Sequence, residues 1–427
     1  MSPTDTTATV VATTTATQEV EQRKPLWESR LTKIFWVNSV AISKDGKRVV
    51  AGTFIHDYDQ KIDKGFPNVQ SRFGVYFYDD VPRVQTTARV DPKWSDEFNA
   101  WDGVFGVAIS GDGKTVAGSG WLDRNGDTKL GLLRAYDADS SSTGALKLLL
   151  DYQDIKQRVS WVSLSDDGNV LAAVADDVYV FLREGDTFRA EPSKFGIGEV
   201  AKQYVTSIAV HPTGTWLVAC DHSGHVYAAR LNNGVIENVV TWKAPEEYPF
   251  LSVAIASDAG KFVVGGGNLV FLFDFKEFMA QGASYKPMDF DTAKDESGVP
   301  EDMPGKLAEN VRWVATSADG TLITAVANRT NLDGKLFARN GDLTPRWHKA
   351  IANSPNSTSV DSAGLFVAMA DGWPTSRPAK FHLFNASNGK KRWESDTLSM
   401  NWPIVINTNG DSIVAGSDDG TVYYFTP

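Results

Sequence analysis

One short pattern governs what this chain can fold into, because it is written again and again along its length. "SVAISKDGKRVVAG" (39–52) returns as "GVAISGDGKTVAGS" (106–119), "WVSLSDDGNVLAAV" (161–174) and "SIAVHPTGTWLVAC" (207–220). It returns again as "SVAIASDAGKFVVGG" (252–266) and "WVATSADGTLITAV" (313–326), and more weakly as "STSVDSAGLFVAMA" (357–370) and "PIVINTNGDSIVAG" (403–416). A repeat of this length is one supersecondary unit that buries its apolar face only by stacking on its neighbours.

Within each copy an alternating strand meets a Ser/Asp-x-Gly turn, then a Val- and Ala-rich strand. The turn glycines, Gly46 and Gly113 among them, suit a tight hairpin, where positive φ costs a glycine little. A third strand follows each pair, as in "FGVYFYD" (73–79), "DVYVFLR" (177–183), "LVFLFDF" (269–275) and "TVYYFTP" (421–427). Outer fourth strands read as "LKLLLDY" (146–152), "VVTWKAP" (239–245), "TPRWHKA" (344–350) and "KKRWESD" (390–396). Antiparallel strands in fours with almost no helical periodicity predict an all-β fold, a single β-propeller. The expectation is eight four-stranded blades, or seven if the weak copy at 357–370 is not one.

The last copy ends on its third strand, and "LWESRLT" (26–32) nearly repeats "RWESDTL" (392–398). The N-terminal segment 21–33 is therefore expected to supply the missing outer strand and close the ring, which removes two open sheet edges. Residues 1–20, rich in Thr and Ala, are read as a flexible tail, 21–427 as the propeller domain, and 278–310 as a long insertion between the fifth and sixth repeats.

The rhythm "SxDG…VAG…DDGTVYYF" resembles WD40 and related bacterial propellers. The stretch "LFNASNGKKRW" (383–393) resembles the tryptophan-docking (PQQ-like) repeat of the quinoprotein dehydrogenase-like superfamily; Trp27, Trp242, Trp347 and Trp393 match its docking position. These resemblances imply an interaction scaffold or, more rarely, a quinone-dependent dehydrogenase. The adjacent cysteine pair of such dehydrogenases is not present, since Cys220 is the single cysteine.

Composition narrows the function classes. A formal charge of −11 supplies no electrostatic footprint for nucleic acid or anionic lipid. One cysteine makes no internal disulfide, the N-terminus reads as no secretory signal, and no apolar run is long enough to span a bilayer. A cytoplasmic protein is expected.

In a propeller the segments entering each inner strand share one face around the axis. They are "FWVN" (35–38), "AWDGVFG" (100–106), "RVSW" (158–161), "QYVT" (203–206), "YPFL" (248–251), "NVRW" (310–313), "SPNS" (354–357) and "MNWP" (400–403). Trp36, Trp101, Trp161, Phe250, Trp313 and Trp402 are expected to crowd that rim, interleaved with Asn38, Asp102, Arg158, Arg312 and Asn401. Trp and Arg anchor most binding hot spots, so the rim is read as a surface for a protein or peptide; blade-to-blade packing of the indoles is the bland alternative. Long loops at 54–73, 120–131, 328–335 and 371–380 are assigned to the same face.

Metal and catalytic readings are weaker. Asp123, Asn125 and Asp127 alternate as in a calcium loop, but the glycine falls early and Arg134 stands where the bidentate Glu belongs. Cys220, His222 and His225 cluster in "CDHSGH" (220–225) without the four ligands of a zinc site, and read better as a hairpin turn. No G-x-S-x-G, P-loop or dinucleotide motif is present. The leading expectation is a non-catalytic scaffold without cofactor. The rivals are an enzyme at the axial mouth, with Asp102 or Asp57 for acid/base work and Arg158 or Arg312 for binding, and a carbohydrate- or small-ligand-binding propeller.

Overall fold

The computed structural model describes residues 20–31, 36–54, 72–99, 103–123, 130–139, 146–196, 205–245, 248–292, 310–330, 333–373 and 378–427. From Trp36 onward the strands fall into successive antiparallel groups of four, each ordered inner to outer along the chain, except that the last group has three and takes its fourth strand from Trp27–Arg30. The inner strands are Trp36–Ile42, Gly103–Ile109, Trp161–Leu164, Val205–Val210, Phe250–Ala256, Asn310–Thr316, Pro355–Val360 and Asn401–Ile406. A single residue pairing, Phe54 with Gly103, fuses the first two groups into one continuous sheet. The third group carries one additional short strand, Thr187–Phe188, on its third strand.

Each inner strand neighbours the inner strand of the next group, and the last, Asn401–Ile406, lies beside the first, Trp36–Ile42. The hairpin turns after the inner strands are linked from group to group by hydrogen bonds. Lys44 N–H donates to the Gly111 carbonyl (3.1 Å), Asp112 N–H to Asp166 (3.1 Å) and Asp166 N–H to Pro212 (2.9 Å). His211 Nε2 lies 3.0 Å from the Ser257 carbonyl. Asp258 N–H donates to Ala318 (2.8 Å), Ala318 N–H to Ser362 (3.0 Å) and Ser362 N–H to Thr408 (3.3 Å). Asn407 Nδ2 then donates to the Lys44 carbonyl at 2.9 Å, which returns the series to its start. Inner-strand serines add a second set: Ser39, Ser207 and Ser252 accept the N–H groups of Val107, Val253 and Val314 in the following group. Buried peptide groups are thereby satisfied between sheets as well as within them.

The turn chemistry explains why the Ser-x-Asp-Gly signature recurs. Ser43, Ser110, Ser165 and Ser317 each donate to the Asp two residues on at 2.6 Å. The same hydroxyls accept the N–H five residues on, from Arg48, Thr115, Val170 and Leu322. Gly168, at φ +68°, shows why the fourth position is glycine: a Cβ there would lie 2.4 Å from Thr115 Oγ1 of the preceding group.

Hydrophobic packing runs between groups. Trp393 on the outer strand Lys391–Thr397 is fully buried and stacks on Phe425 of the next group, with ring centroids 5.1 Å apart. Trp242 packs edge-on against Phe271 and Phe273 of the next group. Trp94 stacks on Phe77 of its own group (5.0 Å) and lies tilted against Tyr136 of the next (5.2 Å).

Trp27 occupies the equivalent place. Trp27–Arg30 pairs antiparallel with Thr421–Phe425, and the Trp27 indole lies between Tyr424 (5.3 Å) and Tyr78 (5.4 Å) of the first group. The N-terminal segment also does something the repeat did not announce: Glu21–Gln22 pairs parallel with Lys391–Thr397, at Trp393 and Glu394.

The segment 278–310 is not a plain insertion. Phe275–Gln281 is a helix capped by the Asp274 carboxylate, which accepts from Glu277 N–H at 2.9 Å. Phe275, Phe278 and Met279 are buried at helical spacing, and Met288–Asp291 is the fourth strand of its group. Residues 293–309 lie outside the described residues. No helix among those described is long and apolar enough to cross a membrane.

Candidate functional site

The entrances of the inner strands are sorted by a repeated β-bulge. Pairing with the second strand shifts register between Val37 and Ser39, Val104 and Gly106, Val205 and Ser207, and Phe250 and Ser252. It shifts again between Val311 and Trp313, Pro355 and Ser357, and Asn401 and Ile404. A bulge re-aims the side chains on either side of it. Val37, Val104, Phe250, Val311 and Asn401 all fall before it and are fully buried. The bulged residues include Asn38, Phe105, Arg312 and Trp402.

Phe250 and Asn401 are therefore corrected from the rim to the interior. Phe250 packs on Phe271, and Asn401 Oδ1 accepts from Thr397 Oγ1 at 2.9 Å. Trp101 and Asp102 lie outside the described residues, as do Asp57, Asn125 and Asp127 and most of the long loops assigned to this face. Asp123 is placed only as the last residue of the strand Thr115–Asp123.

Four of the expected residues meet. Asn38, Trp161, Trp313 and Trp402, all half-buried, line one axial cavity of about 220 Å³ with inner-strand residues such as Val253, Thr358 and Ile404. Trp161 and Trp313 come from groups separated by two others, yet their rings meet edge to face at 5.3 Å and 62°. An edge-to-face pair of this kind is worth about 0.5–1.5 kcal/mol beyond area burial. Trp36 is half-buried at the start of its strand, opposite Phe54.

The two arginines are held at the same entrance. The Arg158 guanidinium lies over the Phe105 ring, 4.2 Å from its centroid, and Asn38 Nδ2 donates to the Phe105 carbonyl at 3.0 Å. Phe105, missed in the sequence, is thus the residue that ties Arg158 to Asn38. With the Asn328 amide oriented to satisfy its neighbours, its oxygen accepts from Arg312 Nε at 3.1 Å and from Ser354 Oγ at 3.2 Å.

The hairpin turns on this face carry carboxylates. Asp221 accepts from the Ser223 and His225 N–H groups, His225 Nδ1 (3.1 Å) and Tyr227 OH (2.8 Å). Asp176 and Asp419 hold Tyr179 and Tyr423 in the same way, and Asp371 holds His382. "CDHSGH" is accordingly a turn in which four donors occupy Asp221 and Cys220 is buried, its thiol pushed up to about 12 by desolvation. Desolvation, then the Arg158 charge, lowers the His222 pKa, so that imidazole is neutral at pH 7. Asp418, in the last of these turns, is pushed up to about 8 by burial and then by the charge of Asp419.

Residues 197–227, the fourth repeat, match the WD domain, G-beta repeat family. No curated protein sequence matches the chain. The fold is similar to Sqt1 of Chaetomium thermophilum, at TM-score 0.67 and 14% identity over 96% of this chain and 98% of that one. It is similar to the same protein bound to the N-terminus of the ribosomal protein L10, at TM-score 0.66 and 14% identity over 94% and 98%. Saccharomyces cerevisiae Sqt1 is similar at TM-score 0.65 and 11% identity over 95% and 99%. These matches support an all-β, WD40-like propeller fold and give no support to the quinoprotein dehydrogenase-like resemblance.

Proposed function

We propose that this protein is a binding scaffold that takes a segment of a protein partner at its axial mouth, on a propeller of eight blades closed by Trp27–Arg30. The series of inter-group hydrogen bonds that returns from Asn407 to Lys44 supports the closed eight-membered ring. The observation that carries the functional reading is the cavity in which Trp161, Trp313 and Trp402 converge with Asn38, with Arg158 stacked on Phe105, whose carbonyl holds Asn38. Three indoles from three blades offer wide, rigid apolar contact at small entropic cost, and the guanidiniums add directional donors. That the similar Sqt1 structure is bound to the N-terminus of a ribosomal protein favours a peptide-like ligand.

The test is affinity capture from native lysate on the wild type and on Trp161→Ala/Trp402→Ala, with thermal unfolding to confirm that the variant is folded. A partner retained by the wild type and lost by the variant is expected. Identical retained sets, or a stoichiometric small cofactor with no partner, would sink the reading.

A further inference from the structure

A second, larger cleft of about 590 Å³ lies away from the mouth, between the outer strand Pro345–Ile351 and the neighbouring strand Lys391–Thr397 with its N-terminal companion Glu21–Gln22. Its walls carry Arg23, Lys349, Lys390, Lys391 and Arg392, against one lining carboxylate, Glu21. On a molecule of net charge −11 this is a local reversal of sign. Three of the cations are engaged: Arg23 with Glu21 (2.8 Å), Lys391 with Glu394 (2.7 Å), and Arg392 over the Phe366 ring (5.0 Å). Lys349 and Lys390 have no ion-pair partner among the described residues.

The first wall is also a sheet edge. Pro345–Ile351 is the last strand of its sheet, so one edge is open among the described residues. The opposite wall already holds extended chain, with Arg23 N–H donating to the Glu394 carbonyl at 2.7 Å. Open edges bind extended peptides through main-chain hydrogen bonds, and flanking charges choose which peptide.

We propose that this cleft is a second docking site, independent of the axial mouth, for an extended acidic peptide segment of a partner protein. Lys349 and Lys390 select it by charge, and the open edge of Pro345–Ile351 supplies its backbone pairing. The apolar floor given by Ile351 and Phe384 accommodates alternate side chains of such a strand.

The experiment is fluorescence anisotropy of a short labelled peptide of alternating Glu and Thr, with the full chain. Saturable binding that weakens with salt is expected, and Lys349→Glu/Lys390→Glu should weaken it at least about tenfold while leaving thermal unfolding unchanged. Wild-type affinity in that double variant would overturn the proposal, as would equal binding of the corresponding Lys/Thr peptide. Loss of binding in Trp402→Ala would place the peptide at the axial mouth instead and overturn it too. If removal of residues 1–19 raised the affinity more than about tenfold, the chain's own segment would be the occupant and not a partner.

Discussion

Single side chains in this protein are tuned mainly by burial, and two of them report it directly. Cys220 is enclosed and its thiol is pushed up to about 12, so almost no thiolate forms near neutral pH. A thiol-specific chromogenic reagent is expected to leave Cys220 unmodified in the native protein and to react stoichiometrically once the chain is unfolded; rapid native labelling would contradict the packing around it. Asp418 has the opposite use. Its folded-state pKa is raised to about 8 from an ordinary value of 3.8, so the folded state holds a proton that the unfolded state releases between those values. Stability is therefore lost as pH rises from about 4 to about 8, and the penalty persists above. Asp418→Asn is expected to raise Tm by a few degrees at pH 9 and to change it little at pH 4; equal shifts at both would refute the assignment.

At the scale of one hairpin, the serine hydroxyl, the aspartate and the glycine act together. Ser165 bridges Asp167 and the Val170 N–H, while Gly168 turns at positive φ against Thr115 of the preceding blade. Asp167 is left below its usual range because hydrogen bonds from Ser165 and Asn169 outweigh the upward push of burial. Gly168→Ala combines backbone strain with a clash, and an equilibrium loss of about 1–3 kcal/mol is expected from denaturant unfolding. Ser165→Ala, which leaves a buried N–H without its acceptor, should cost about 1–2 kcal/mol. An effect below about 0.3 kcal/mol in both would show that the turn is set by the sheet and not by its own bonds.

Across the whole molecule each group of strands covers its neighbour, so under the proposed closure the group completed by Trp27–Arg30 is the vulnerable one. Trp27, buried between Tyr424 and Tyr78, packs the last group of strands against the first, and Trp27→Ala is expected to cost about 3–5 kcal/mol. Removing residues 1–31 should lower Tm strongly, whereas removing 1–19 should not. Equal Tm for the two truncations would argue against closure through this strand.

The repeat made the all-β propeller legible, because alternation, turn glycines and small-residue strands are all local patterns. The outer-strand tryptophans are legible for the same reason, except Trp94, which lacks the preceding turn signature. The helix Phe275–Gln281 was also written locally, in an Asp cap and apolar residues at helical spacing, but it is short and lay hidden at the edge of a long irregular segment. What the sequence could not supply was the sorting of the rim. A bulge of one residue decides whether a side chain enters the core or the mouth, and it sends Phe250 and Asn401 inward while Asn38 and Trp402 line the channel. The pairing of Trp161 with Trp313 and the cationic cleft join residues far apart in the chain. Period and turn chemistry are written within each repeat; which residues share a cavity is decided only when the blades pack, because that depends on register between strands and on neighbours no single repeat contains.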